Sequence, residues 1–195
     1  MSTAFRRVRG GGVSATFHTV EVELLRSLVG QLLELVHDAQ PAPADADDPL
    51  AAALALGDDP DRPTDPVLLR LFPDAYADDE QSAEFRRYTE RGLREAKSSA
   101  AASVLASLAT PEPEGKRATP DKLDLRLDGE QATAWLRTLT DLRLALGTRL
   151  GVEEGDEDYW DSLDDDDPRA YVHHVYEWLG FVQETLVRAL SAGLR

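Results

Sequence analysis

The stretch SLDDDDPRAYVHHVYEWLG, residues 162 to 180, places four aspartates just before two adjacent histidines, a composition that could bind a metal ion. Two histidines on a helix bind one ion when they are four residues apart, because side chains at that spacing share a face. His173 and His174 are adjacent, so their directions on a helix differ by about 100°. The spacing therefore predicts no metal site at the histidines.

The same stretch ends an acidic loop, residues 153 to 167, in which ten of fifteen residues are Asp or Glu. A calcium-binding EF-hand loop needs glycine at its sixth position and glutamate at its twelfth. Counted from Asp156, these positions hold Asp161 and Asp167. We therefore expect no metal in the loop, and we interpret Asp167 as the N-cap of a helix that begins at Pro168.

Neighbouring residues on that helix distinguish the two histidines. His173 lies on a polar stripe with Glu177, so we expect it to be solvated. His174 lies with Tyr171 and Trp178 beside an apolar stripe, so we expect it to pack against aromatic side chains.

No other combination of residues indicates a catalytic site. The chain has no cysteine, which excludes thiolate nucleophiles and cysteine zinc sites. It has four histidines, which leaves few ligands for any other metal site. It also lacks the GxSxG and SxxK motifs that position a serine nucleophile. We therefore expect a protein that is not an enzyme and that uses no cofactor.

Two groups of arginines are conspicuous in a chain whose formal net charge is −16. In FRRYTERGLREAK, residues 85 to 97, the spacing i, i+4, i+7 places Arg87, Arg91 and Arg94 on one helix face. They could form a partner-binding stripe, or they could pair with neighbouring glutamates of the same helix. The sequence favours the intrahelical pairs and leaves the stripe open.

The second group lies in WLRTLTDLRLALGTRLG, residues 135 to 151, where Arg143 falls within a stripe of apolar residues. A buried guanidinium must be paired and hydrogen-bonded, or must face a ligand or a partner. We expect Arg143 to pair with a carboxylate, and Asp141 to lie on the polar face. The alternative is an anion-binding enzyme or small-molecule sensor in which Arg143 and Arg149 hold the ligand.

These residues must be positioned by a mainly α-helical fold, which we expect to be a single helical-bundle domain over residues 1 to 195. Apolar residues recur at helical spacing in four long segments. These segments span about 19–37, 79–109, 129–150 and 168–191. Glycines at positions 10 to 12 predict a hairpin within residues 4 to 18, and alternating leucines predict a third strand at about 122–127. The strands would form a small antiparallel sheet.

A segment rich in proline, alanine and aspartate, residues 39 to 66, predicts a flexible insertion. Asp48-Pro49 and Asp65-Pro66 each match an N-cap followed by proline at the first helical position. Each pair therefore predicts the start of a short helix.

The net charge of −16 opposes direct binding to nucleic acid and to an anionic membrane surface. The first residues, MSTAFRRVRGGG, lack the apolar segment of a signal peptide, so we expect a cytoplasmic location. A protein partner is compatible with this charge, and so is a homo-oligomer.

The two arginine segments, FRRYTERGLREAK and LTDLRLALGTRLG, resemble those of an actinobacterial family of proteins of unknown function. The resemblance extends to Phe5–Arg9, to RLFPDAY at residues 70 to 76 and to VYEWLGFVQETLV at residues 175 to 187. Genes of this family often neighbour the gene of the Clp protease adaptor ClpS, and some members are AosR-type oxidative-stress transcriptional regulators. The resemblance implies a regulatory role in the stress response.

A thiol switch, which such a role suggests, needs cysteines that this chain does not contain. Direct reading of DNA is opposed by the net charge. We therefore expect a regulator that binds another protein. The candidate contact residues are Arg87, Arg91, Arg94, Arg143 and Arg149.

Overall fold

The computed structural model describes residues 4–38, 62–109, 121–164 and 166–192. The chain begins with strands β1 (Arg6–Arg7) and β2 (Val13–His18) and continues into helix α1 (Thr19–Asp38). Then follow α2 (Pro66–Leu71), α3 (Asp79–Ser107), strand β3 (Lys122–Leu127), α4 (Gly129–Leu150), α5 (Glu157–Asp161) and α6 (Pro168–Ser191).

The predicted fold class, mainly α with a small antiparallel sheet, is confirmed. The four long helices begin at the expected residues. The helix expected from Asp48 lies outside the described residues, as does most of the segment 39 to 66. None of the helices in the described part of the chain has both the length and the hydrophobicity needed to cross a bilayer.

Aspartates cap the starts of several helices, as their positions in the sequence predict. The side chains of Asp65 and Asp167 each accept a backbone N–H two residues later, and proline follows both. Asp128 accepts from the backbone N–H of Gln131 at 2.8 Å, and the Gln131 side chain accepts from the backbone of Asp128 in return. These bonds satisfy N–H groups that have no partner inside the helix, and so fix where each helix begins.

The three strands are arranged in the order β1-β2-β3, and both pairs are antiparallel. Gly10, Gly11 and Gly12 form the predicted hairpin turn, and all three have positive φ. At Gly12 a Cβ atom would overlap the backbone oxygen of Leu127 on β3. Position 12 therefore requires glycine for two reasons, its backbone conformation and the close approach of the third strand.

Three aromatic rings join the sheet to the helices. Phe5, Phe17 and Trp135 contact one another at centroid distances of 5.6 to 5.9 Å. Trp135 and Phe17 are completely buried. Trp135 belongs to α4, the central helix, which packs against α2, α3 and α6. The sheet thus covers the bundle with one face only.

We predict that Gly12→Ala destabilises the protein more than Gly10→Ala. Both replacements place alanine at positive φ, which costs about 1–2 kcal/mol. At Gly10 a Cβ meets no atom within 4 Å, whereas at Gly12 it must displace β3. Urea unfolding of both variants measures the difference. Equal losses would mean that β3 moves away without cost.

Candidate functional site

Helix α3 buries charged residues and exposes aromatic ones along its first half. Arg86, Glu90 and Arg94 are 7%, 5% and 2% exposed. Phe85 and Tyr88, on the same turns, are 43% and 65% exposed. A helix on the surface of a globular protein usually buries its apolar side chains and solvates its charges. The buried charges of α3 therefore require partners inside the protein.

The buried charges form a network in which Glu90 lies between two guanidinium groups. Arg86 donates from Nη1 to Glu90 Oε2 at 3.1 Å. Arg94 donates from Nε and Nη2 to Glu90 Oε1, at 2.9 and 2.5 Å. Arg86 also pairs with Asp74, which the more exposed Arg62 contacts at 2.7 Å. We call Asp74, Arg86, Glu90 and Arg94 the buried ion network.

Arg94 connects this network to the C-terminal end of α1. Its Nη1 donates to the carbonyl oxygen of Val36 at 2.9 Å, and its guanidinium lies 4.4 Å from the ring centroid of Phe72. The last carbonyls of a helix have no partner within the helix and carry partial negative charge. Arg94 therefore satisfies the end of α1 and makes a cation–π contact at the same time.

Arg87, Arg91 and Arg94, the candidates for a partner-binding stripe, do not share one exposed face. Arg87 and Arg91 are exposed, but Arg94 is buried, because it lies at the edge of the buried arc of α3 and the end of α1 packs over it. Pairing with glutamates of the same helix, which the sequence favours, is observed for Arg94 with Glu90 and for Arg91 with Glu95. The second pair joins Nε to Oε1 at 3.2 Å on the surface.

The exposed side of the same helix segment combines aromatic and basic side chains. Tyr76, which precedes α3, packs edge-to-face on Phe85 at a centroid distance of 5.8 Å. Ser82 holds Tyr76 in place, since its hydroxyl donates to the Tyr76 carbonyl at 2.8 Å and accepts from its N–H at 3.1 Å. We define the α3 surface as the exposed residues Tyr76, Phe85, Arg87, Tyr88 and Arg91.

Arg143 lies between α4 and α6, where it contacts neutral groups. Its Nη1 donates to Gln183 Oε1 at 3.0 Å, and its Nη2 donates to the Tyr176 hydroxyl at 3.3 Å. The guanidinium also lies 4.9 Å from the Tyr176 ring centroid. In the described part of the chain no carboxylate pairs with it, and its buried Nε has no hydrogen-bond partner. The expected ion pair with a carboxylate is therefore wrong.

Arg149 has a different environment from Arg143. Its Nη2 donates to Asp65 Oδ2 at 2.6 Å, and Asp65 is the N-cap of α2. The two arginines thus have partners on different elements, and the structure does not bring them together around one ligand. This arrangement gives no support to the anion-binding alternative.

A second buried ion pair joins α3 to α4. Lys97 Nζ lies 2.6 Å from Asp141 Oδ1, and Asp141 is 5% exposed. Burial raises the pKa of the Asp141 carboxyl above its ordinary value, although the Lys97 ammonium opposes the shift. The expectation that Asp141 lies on a solvated face is wrong, because α3 packs against that side of α4.

The two histidines have environments opposite to those expected. The His173 ring stacks on Trp160 of α5, with centroids 4.6 Å apart and planes within 4°. His174 is exposed. The sequence could not show that the acidic loop contains a short helix that places Trp160 over His173. In the residues that the structure describes, no three His, Asp or Glu side chains are arranged to hold a metal ion.

The chain was compared with protein families, with curated proteins and with solved structures. A family model described as "Domain of unknown function (DUF2017)" matches residues 2–190. A Mycobacterium leprae (strain TN) protein, whose name describes the oxidative stress regulator AosR, is 34% identical over 186 residues, 88% of this chain and 79% of that protein. The "Oxidative stress regulator AosR" of Mycobacterium tuberculosis (strain ATCC 25618 / H37Rv) is 30% identical over 185 residues, 87% of this chain and 78% of that protein. No solved structure matches the chain significantly.

We predict that Glu90→Gln strongly destabilises the protein. The replacement keeps the side-chain shape but leaves the buried Arg94 guanidinium without a charged partner and Arg86 with Asp74 alone, which costs about 3–5 kcal/mol. Glu95→Gln is the control, because it removes an exposed i, i+4 pair worth less than about 0.5 kcal/mol. Urea unfolding of the two variants separates them. Similar midpoints for Glu90→Gln and the wild type would refute the role given to the buried ion network.

We also predict that Arg143→Met costs much less stability than Arg94→Met. Methionine retains an apolar stem at both positions. At Arg143 it removes a cation whose partners are neutral, so the expected loss is below about 1.5 kcal/mol. At Arg94 it leaves Glu90 and the Val36 carbonyl short of a donor, with an expected loss of about 3 kcal/mol or more. Thermal and urea unfolding give the comparison, and a reversed order would contradict it.

Proposed function

Because the chain belongs to the family described as "Domain of unknown function (DUF2017)", we propose that it is a non-enzymatic regulator that acts by binding another protein. Relatives whose names describe an oxidative stress regulator support a regulatory role in the stress response. We infer that this role is exercised in transcription and in the cytoplasm.

The observation that carries the proposal is the α3 surface. Tyrosine and arginine are enriched among residues that contribute most to protein–protein binding, because they combine large contact area with hydrogen-bonding groups. Here Phe85, Tyr88 and the two exposed arginines lie within two turns of one helix, connected by spacings of three and four residues. Exposed apolar side chains that lie next to one another are typical of contact surfaces, whereas single ones are common on any protein.

The buried ion network supports the proposal by holding the α3 surface in one orientation. Arg86 and Glu90 face inward on the turns that present Phe85 and Tyr88 outward. Asp74, two residues before Tyr76, is paired with Arg86. A surface presented by a rigid helix loses little conformational freedom on binding, which favours affinity.

Regulation through contact also agrees with the composition of this chain. A thiol switch requires a cysteine that can be oxidised, and the chain contains none. We propose that a change in stress conditions reaches the protein through its partner and not through oxidation of a thiol. We therefore expect activity to depend on residues of the α3 surface and not on a redox-active side chain.

We predict that Tyr88→Ala/Arg91→Ala abolishes partner binding without loss of stability. Both side chains are exposed, so the free energy of unfolding should change by less than about 1 kcal/mol. Loss of two central contacts should weaken binding at least about 30-fold. The measurement is quantitative mass spectrometry of proteins that copurify with the tagged variant from its own cells.

The matched control is Tyr171→Ala/Arg188→Ala, which removes an exposed tyrosine and an exposed arginine from α6. The control should recover the same proteins as the wild type. If the α3 variant recovers them as well, or if both variants lose them equally, the α3 surface is not the contact. A photo-crosslinking residue at position 88, compared with position 171, identifies the protein that touches the helix.

A further inference from the structure

The three-stranded sheet presents a basic face to solvent in a strongly acidic protein. The inner face of the sheet is apolar and contains Val13, Ala15 and Phe17 from β2. Its outward-pointing residues, here called the open sheet face, are Arg6, Ser14, Thr16, His18, Lys122, Asp124 and Arg126. A concavity of about 560 Å³ over this face is lined by these residues together with Ala4, Ala15 and Leu125. In a chain of net charge −16, such a concentration of cations calls for an explanation.

The strand register places the cations at defined positions. Arg6 and Arg126 lie on either side of Ser14, in one row across the three strands. Lys122 lies four residues from Arg126 along β3. Strand spacing and rise put the α-carbons of Arg6 and Arg126 about 10 Å apart, and those of Lys122 and Arg126 about 13 Å apart.

Within the described residues, Asp124 is the only carboxylate of the open sheet face, and it is hydrogen-bonded to a neighbouring strand. Asp124 Oδ1 accepts from the Thr16 hydroxyl at 2.7 Å. Across the described ranges, no carboxylate lies within ion-pairing distance of Arg6, Lys122 or Arg126. They differ in this from Arg62, Arg149 and Arg169, which are exposed and pair with carboxylates of the chain. The cations of the open sheet face are therefore available to a carboxylate from outside.

We propose that the open sheet face binds an extended acidic segment of a partner protein. An extended chain repeats its side chains on one face about every 7 Å, so carboxylates at positions i and i+4 match the separation of Lys122 and Arg126. The residue at i+2 lies near Asp124 and is therefore neutral or basic. Arg6, on the other side of Ser14 from Arg126, pairs with a further carboxylate of the same segment. Such recognition combines charge complementarity with a fixed spacing.

A nucleic acid fits this face less well than an acidic peptide does. Proteins that bind single strands stack the bases on aromatic side chains, and the open sheet face contains no Phe, Tyr or Trp. Duplex DNA carries a negative charge about every 1.7 Å of its axis, and the remaining acidic surface of the protein repels it. A short peptide with two or three carboxylates experiences less of that repulsion, because charges beyond about 8 Å are screened at physiological salt.

The test uses fluorescein-labelled peptides and fluorescence anisotropy with the full chain at low and physiological salt. The probe is a short threonine- and valine-rich peptide with glutamates at i and i+4 and lysine at i+2. We expect a Kd below about 1 mM at low salt, and we expect the Kd to rise as the salt concentration increases. A peptide with glutamines in place of the glutamates should not bind, and a peptide with glutamates at i and i+1 should bind more weakly.

The variant Arg6→Gln/Arg126→Gln should weaken binding of the probe at least about tenfold, and Lys122→Gln should weaken it separately. The control Arg26→Gln/Arg70→Gln removes the same charge from exposed positions on α1 and α2 and should bind like the wild type. Urea unfolding verifies that the variants fold.

Three results would overturn the proposal. They are no binding of the probe, an equal loss in the control, and tighter binding of a DNA oligonucleotide that depends on Arg6 and Arg126. The last result would assign the face to nucleic acid. None of these results bears on the α3 surface, whose residues lie on a different element, so the two proposals can fail independently.

Discussion

A carboxylate buried between two guanidinium groups determines how helix α3 is placed. Removing Glu90 from water is costly, and only the direct bonds from Arg86 and Arg94 compensate for it. These three residues follow one another at intervals of four, so their requirement for partners defines the inner face of the helix. Phe85 and Tyr88 lie outside that arc. The aromatic side chains are therefore exposed because the charged residues occupy the inner face of the helix.

The buried ion network also joins α3 to other parts of the fold. Through Asp74 it holds the segment that leads into the helix, and through the Val36 carbonyl it holds the end of α1. The Lys97–Asp141 pair continues these polar contacts to α4. Towards its C-terminal end α3 changes character and packs through Ala101 and Val104. One helix thus joins a polar interface, which specifies orientation, to an apolar one, which supplies the hydrophobic free energy.

The start of each long helix and the pairing of the sheet could be predicted, because caps, glycines and periodicity are local signals. The orientation of α3 could not, since a glutamate and an arginine four residues apart look the same whether the pair is solvated or buried. One signal was available: Arg86, Glu90 and Arg94 form an unbroken i, i+4, i+8 series, and sequence reasoning overlooked Arg86. The stacking of His173 on Trp160 depends on α5, whose position no local pattern encodes.

The two surfaces proposed as contacts differ in the force that would hold a partner. On the α3 surface, Arg91 is partly neutralised by Glu95, and the exposed aromatic area of Phe85 and Tyr88 dominates. Hydrophobic contact of this kind is insensitive to moderate salt. The open sheet face offers cations and little apolar area, so its attraction falls steeply as salt rises. The long-range field of a chain with net charge −16 repels acidic molecules, which leaves recognition by the open sheet face to contacts of a few ångströms. The cations of the open sheet face would therefore recognise the spacing of carboxylates in a partner and not its total negative charge.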